Sequence, residues 1–193
     1  DLHYESKDSK VRELAWCRIM QGLDIAARLG AEVMVAHSTY NPLVVGEGYG
    51  EKWVERSSEF WRLLAAEAET RNITVVLENI WDPDPYYINA VLKNVRSRHF
   101  KACFDTGHLN IFSRVSVEEW IRVLGDELVY IHLHNNYGEK DEHNGLHKGT
   151  FDFNLFFALL QKYAGDPILT LELRHVEDIA PSKQLLAQLL KAV

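Results

Sequence analysis

Five short apolar runs in this chain each end in a side chain that can bind a metal ion or transfer a proton. The runs are EVMVAH, ITVVLEN, FKACFDTGH, LVYIHLHNN and PILTLEL, and these end groups are His37, Glu78, Asp105, His132 with His134, and Glu172. A carboxylate or imidazole at the buried end of a strand costs free energy unless a partner satisfies it. The repeated pattern therefore predicts strand ends that converge on one divalent cation.

Helical patterns alternate with these runs along the chain. We predict strands over residues 32–37, 73–78, 100–105, 128–134 and 168–172, and helices over about 9–29, 51–70, 87–95, 153–163 and 181–191, with one more after the capping pair Ser116 and Glu119. Apolar strands that each precede a helix are typical of a parallel sheet covered on both faces, so the predicted class is α/β. No GxGxxG or GxxxxGK[ST] turn follows any strand, which leaves a nucleotide-binding doubly wound fold without support.

Composition limits the kinds of partner and the cellular location that we expect for this protein. The chain has 193 residues and a formal net charge of −7, so as a whole it repels polyanions, which weighs against nucleic acid. It contains no apolar run long enough for a membrane span and no apolar N-terminal stretch of the kind that directs secretion. Cys17 and Cys103 look like small buried hydrophobic residues, which favours a reducing, cytoplasmic location.

Four of the pieces, in order and spacing, resemble the xylose-isomerase-like barrel superfamily. They are VVLEN, CFDTGH, IHLHNN with the downstream GEKDEHNGLHKG, and LTLEL, and VMVAHS is a weaker match. That family includes sugar and sugar-phosphate isomerases, ketose epimerases, inosose dehydratases and endonuclease-IV-type nucleases. The resemblance implies that residues 1–193 form a single TIM-barrel-type domain with strands four to eight of the barrel and without the first three βα units. Five strands cannot close such a barrel, and an open sheet would favour self-association into a homo-oligomer.

The resemblance also implies a metal centre and a reaction. Its ligands would be Glu78, Asp105, His132 and Glu172, a donor set that suits Mn²⁺, Mg²⁺, Co²⁺ or Zn²⁺ without selecting among them. Glu78 and Glu172 would act as catalytic acid and base in a sugar isomerase or epimerase that works through an enediolate. Strand alternation sends His132 and His134 to the same face, so either imidazole can reach the metal by that argument. The family pattern selects His132.

Several further residues are expected at the same site. The resemblance implies that His108 contacts the substrate, and it leaves His134 to contact either the substrate or a metal ligand. His37 matches a histidine that the nucleases use for another zinc ion, and a position facing the substrate or the core fits it equally well. Trp81 follows a strand end, where it can stack on a sugar ring or cover the core. In the nuclease branch, residues at the positions of His108, Asp141 and His143 surround a further zinc ion, so a phosphodiesterase acting on abasic DNA is the alternative function. A non-catalytic binding protein is a third. Asn135 departs from the family, which more often has Asp there.

Each residue also has a structural interpretation. Glu78 and Glu172 are the kind of residues that form salt bridges or cap helices, and Asp105 suits the cap of the turn that follows it. Trp53 and Trp61 stand at helical spacing and are expected to pack against the sheet. The remaining imidazoles have no family match and are expected at the surface; they are His3, His99 and His175.

Overall fold

The computed structural model describes residues 2–192, which contain five strands and seven α-helices. The strands are β1 (Val33–His37), β2 (Thr74–Glu78), β3 (Phe100–Asp105), β4 (Leu128–Leu133) and β5 (Ile168–Leu171). The helices are α1 (Ser9–Arg28), α2 (Tyr49–Thr70), α3 (Tyr86–Val95), α4 (Thr106–Phe112), α5 (Val117–Leu124), α6 (Phe153–Tyr163) and α7 (Ile179–Ala192). The strands are parallel, and their order in the sheet is β1-β2-β3-β4-β5. This α/β arrangement is that of a partial TIM barrel, which confirms the predicted fold class.

The chain divides into two compact units. The first comprises Asp1–Glu78 and Tyr86–Ala102, and the second comprises Asn79–Pro85 and Cys103–Val193. None of the helices in the described part of the chain combines the length and the apolar content that a bilayer crossing requires.

Aromatic side chains form much of the core of the first unit. Trp53 and Trp61 of α2 are fully buried, as their helical spacing predicts. The Trp61 ring stacks on Phe100 with 5.2 Å between ring centroids, and Tyr4 meets it edge-on at 4.6 Å. Such aromatic pairs add packing energy to the apolar area that they bury. Beside this core, β1 and β2 pair in a register that places His37 opposite Glu78.

The second unit has its own aromatic core. Phe104 of β3 stacks on Phe156 of α6 at 5.4 Å and meets Trp120 of α5 at 5.9 Å. The helices that carry these rings begin at side-chain caps: Ser116 accepts the amide of Glu119 at the start of α5, as the capping pattern predicts, and Asp152 caps α6. These caps fix where each helix begins relative to the strand before it.

Three details differ from the sequence-based expectations. Cys17 is exposed on α1, because it lies outside the stripe that buries Ala15 and Leu23. His99 is buried, and its Nδ1 lies 2.9 Å from the carbonyl oxygen of Ile73, a backbone acceptor that no sequence pattern reveals. A short helix, α4, follows β3 directly where only a turn was expected.

Candidate metal centre

Asp105 lies at the centre of a group of polar side chains in the second unit. It ends β3, is fully buried and caps α4, since its Oδ1 accepts the backbone amide of His108 at 2.7 Å. The same oxygen lies 2.9 Å from Nε2 of His134, and Oδ2 lies 3.0 Å from that nitrogen. The capping role and the proposed ligand role of Asp105 are therefore compatible, because one carboxylate offers lone pairs for both.

Asn79, which no sequence motif singled out, holds the backbone of Asp105. Its side-chain Oδ1 accepts the Asp105 amide at 2.8 Å, and its Nδ2 donates to the Asp105 carbonyl at 3.2 Å. The side chain thus satisfies both backbone groups at the end of β3, and the residue is buried. The one available signal was its position directly after a strand-ending glutamate.

His132 and Glu172 complete a group of three with Asp105. His132 Nδ1 lies 2.8 Å from Glu172 Oε2 and 3.8 Å from Asp105 Oδ2. Each of the three residues offers a ligand atom, and these atoms lie within 4.8 Å of one another. When each ligand atom lies about 2.0–2.2 Å from one cation, the ligand atoms are separated from one another by distances similar to those among these three residues. Two carboxylates and an imidazole at this spacing therefore fit a divalent ion.

His134, the residue directly after β4, packs against Asp105. Its ring is fully buried and lies beside Gly107, where a β-carbon would fall 1.9 Å from the His134 Cε1. Because Gly107 is helical, its lack of a side chain is needed for space and not for backbone conformation. Among the described residues His134 Nδ1 has no hydrogen-bond partner, and Nε2 is the nitrogen that faces Asp105.

A second cluster forms where two imidazoles meet Asp141. His108 Nδ1 lies 2.9 Å from the carbonyl oxygen of Asn79, and His143 Nδ1 lies 3.2 Å from that of Glu172. A carbonyl oxygen can only accept, so both Nδ1 atoms carry the proton and both Nε2 atoms are turned toward Asp141. His143 Nε2 is 2.9 Å from Asp141 Oδ2, and His108 Nε2 is 3.5 Å from the same oxygen.

His134 borders this second cluster. Its ring stacks on that of His143 with 4.0 Å between centroids and 13° between planes, and its Nε2 lies 3.8 Å from Asp141 Oδ1. Asp141 Oδ1 is buried and has no hydrogen-bond partner among the described residues. His134, Asp141 and His143 present ligand atoms within 4.8 Å of one another. The family resemblance predicts His108 in this group and does not include His134.

The electrostatics of the second cluster follow from these contacts. Partial burial raises the pKa of Asp141, but hydrogen bonds from His108 and His143 outweigh it, and the net pKa lies well below the usual range. The hydrogen bond to Asp141 raises the pKa of His143 above its ordinary value. In the absence of a cation the cluster therefore favours a proton on His143, which shows that it is suited to positive charge.

The first unit carries the other two predicted strand-end groups. Glu78 is buried at the end of β2, and its Oε2 lies 3.6 Å from Nε2 of His37 at the end of β1. Trp81 belongs to the second unit, where it is half-buried in the segment 79–85.

Comparison with known proteins identifies relatives of the whole chain. A family model described as xylose isomerase-like TIM barrel matches residues 1–192. An uncharacterized protein of Methanocaldococcus jannaschii is 25% identical over 200 residues, which cover 100% of this chain and 68% of that protein. The fold therefore has relatives in sequence as well as in structure.

Two solved structures are also similar. A D-tagatose 3-epimerase-like protein superposes with a TM-score of 0.87 at 25% identity, covering 100% of this chain and 74% of its own. A protein from Thermus thermophilus, soaked with ZnCl2, superposes with a TM-score of 0.82 at 29% identity, covering 100% of this chain and 75% of its own. The structural neighbours thus include a protein likened to sugar epimerases and a protein exposed to zinc.

Proposed function

Because the chain belongs to the xylose isomerase-like TIM-barrel family, we propose that it is a metal-dependent isomerase or epimerase of a small sugar, sugar phosphate or polyol derivative. The observation that carries the proposal is the grouping of Asp105, His132 and Glu172 at the ends of three strands. The likeness to an epimerase-like protein supports the same reaction class.

The donor set supports a divalent cation as cofactor. Asp105, His132 and Glu172 would hold it, and we assign Glu78 as the fourth ligand on the family resemblance. Carboxylate oxygens with one imidazole accept Mn²⁺, Mg²⁺, Co²⁺ or Zn²⁺. Such a cation, when bound, withdraws electron density from a substrate carbonyl and its neighbouring hydroxyl, which lowers the cost of removing the proton from the carbon that bears the hydroxyl.

The glutamates supply the proton transfer. One carboxylate takes the proton from that carbon, leaving an enediolate, and the other returns a proton. Return to the same carbon from the opposite face gives the epimer, and return to the neighbouring carbon gives the aldose–ketose isomer. The Glu172 side chain is 42% exposed, which leaves it open to substrate, and its Oε2 lies 2.8 Å from His132 Nδ1. His108, His134, His37 and Trp81 are proposed to contact the substrate.

Isotope exchange tests this assignment. In D2O, a ketose that serves as substrate should exchange the proton on its carbon next to the carbonyl, and Glu172→Gln should abolish that exchange while calorimetry still detects a bound divalent ion. Glu78→Gln should behave in the same way. Glu177→Gln, at a side chain that is 74% exposed, is the control and should exchange like the parent protein. Undiminished exchange in Glu172→Gln would refute the role of that residue.

The His108, Asp141 and His143 cluster favours one alternative, an endonuclease-IV-type phosphodiesterase. Two imidazoles whose Nδ1 atoms lie against carbonyl oxygens present both Nε2 atoms to one carboxylate, an arrangement suited to an additional zinc ion. Elemental analysis distinguishes the two functions, because one ion per chain favours the isomerase and three favour the nuclease. Nicking of abasic DNA would establish the nuclease, whereas failure to bind any divalent ion would favour a non-catalytic role.

Composition supports a proposal for the location and the partners of the protein. We expect a cytoplasmic protein that binds small molecules and not nucleic acid, since the net charge is −7. Self-association into a homo-oligomer is a further expectation, and sedimentation of the purified protein measures it.

A further inference from the structure

The backbone of His143 is held in an unusual conformation. Its φ is 50°, in the left-handed region that side-chain-bearing residues seldom occupy. Such a conformation costs on the order of 1–3 kcal/mol and persists only where neighbouring contacts enforce it. The contacts that hold it here are made by His143 itself and by the residues that follow it along the chain.

Part of the restraint comes from neighbouring backbone. The amide of Arg174 donates to the His143 carbonyl at 3.0 Å. Asn144 and Asn135 exchange a pair of backbone hydrogen bonds, each 3.0 Å long. These bonds restrain the backbone at His143 and at the residue after it. They do not involve residues 145–148, which form the next turn.

The turn that follows, residues 145–148, is held by two buried side chains: Asp178, which directly precedes α7, and Ser182, which lies in its first turns. Asp178 Oδ2 accepts the Gly145 amide at 3.2 Å, and its Oδ1 accepts the ammonium of Lys148. Ser182 Oγ accepts the Leu146 amide at 3.1 Å. Asp178 is 1% exposed and Ser182 is fully buried, so this is a built contact and not a surface ion pair.

The fit at Gly145 shows how closely the turn approaches Asp178. A β-carbon at Gly145 would lie 2.9 Å from the Asp178 Cβ, 3.0 Å from its Cγ and 2.7 Å from the His147 Cε1. The φ of Gly145 is not positive, so glycine is needed here for the close approach to Asp178 and not for a left-handed backbone. Gly145 and Asp178 therefore fit each other in shape as well as through a hydrogen bond.

We propose that Asp178, assisted by Ser182, is a positioning residue that clamps residues 145–148 and thereby keeps His143 in its left-handed conformation, with its ring directed at Asp141. The importance of that ring rests on the proposed function, whereas the clamp itself does not. Asp178 touches none of the groups proposed to bind metal or substrate. It acts through the turn, and the Lys148 ammonium neutralises its charge at the clamp.

Backbone and side-chain NMR of the metal-free protein tests the proposal without substrate or cation. In Asp178→Ala, amide hydrogen exchange at residues 143–148 should accelerate by roughly tenfold or more, because local opening of the turn becomes easier. The His143 ring should also lose the nuclear Overhauser contacts expected from its stacking on the His134 ring, whose centroid lies 4.0 Å away. Gly145→Ala should reproduce both effects through its clash with Asp178, and Ser182→Ala should give a smaller acceleration.

Two controls separate the clamp from general destabilisation. Gly165→Ala adds a methyl group where nothing lies within 4 Å, and Asp166→Asn removes an exposed carboxylate from the same unit. Both should leave residues 143–148 unchanged. Unchanged exchange and unchanged nuclear Overhauser contacts of the His143 ring in folded Gly145→Ala or Asp178→Ala would overturn the proposal. The experiment uses neither a metal ion nor a substrate. Its outcome is therefore independent of whether the protein is an isomerase or binds a metal.

Discussion

His134 Nε2 lies 2.9 Å from Asp105 Oδ1, and both side chains are fully buried. The imidazole N–H therefore donates to the Asp105 carboxylate beside the His108 amide. With both donors in place the carboxylate has a single orientation relative to His132. A residue that fixes a ligand in this way contributes to cation affinity even without touching the ion.

Replacement of His134 by Phe should reveal that contribution. Phe keeps the ring volume and the stacking on His143 but cannot donate to Asp105. Divalent-ion affinity should fall by about 10–100-fold, the usual effect of losing a hydrogen bond behind a metal ligand. Zinc titration by calorimetry measures the change. His175→Phe, at a side chain that is 51% exposed, is the control, and equal affinities in the two variants would contradict the orienting role.

Gly107→Ala should displace the same imidazole from the other side. The new β-carbon would lie 1.9 Å from the His134 Cε1, which is fully buried and has no space to retreat. Overpacking of this kind costs about 1–3 kcal/mol. Urea unfolding measures the loss, and zinc affinity should fall with it.

Gly22→Ala provides the matched control for that substitution. Gly22 is also helical, and its added β-carbon would meet only the Met34 sulfur at an ordinary 3.6 Å. Because alanine has the higher helix propensity, this variant should be neutral or more stable by up to about 1 kcal/mol. A comparable loss of stability in both variants would mean that the His134 contact is not the cause.

The strand-end groups could be predicted from sequence because the signal is local: a polar side chain ends an apolar run. Asp105 shows both the strength and the limit of such a signal. Its place at a strand end suits a helix cap and a metal ligand alike, and only the structure shows the capping bond together with contacts to His134. Asn79 and Asp178 were not predicted. Their partners are 26 and 33 residues away, so only the folded chain brings them together.

Asn135→Asp tests a departure of this chain from its family. The Asn135 Nδ2 donates to the Leu146 carbonyl at 2.9 Å, and its Oδ1 accepts the amides of Asn136 and Phe151. An aspartate keeps the acceptor but places a second oxygen against a carbonyl, at a site that is 2% exposed. The substitution should cost about 1–3 kcal/mol in urea unfolding. Asn89→Asp, at a half-buried position in α3, is the comparison, and a neutral Asn135→Asp would show that the amide donor is dispensable.

The Asp178–Lys148 pair should make stability depend on pH in the acid range. The hydrogen bond from Lys148 lowers the pKa of Asp178 below its ordinary value, so the folded chain holds this carboxylate ionised where the unfolded chain begins to bind a proton. The stabilisation is therefore complete above the unfolded pKa of about 3.9 and is lost as pH falls toward the lower folded pKa. Asp178→Asn removes this contribution, so its free energy of unfolding should fall less steeply than that of the parent between about pH 5 and pH 3. Urea unfolding at each pH measures the two slopes, with Asp166→Asn as the control; parallel slopes for parent and Asp178→Asn would show that the ion pair contributes nothing to folding.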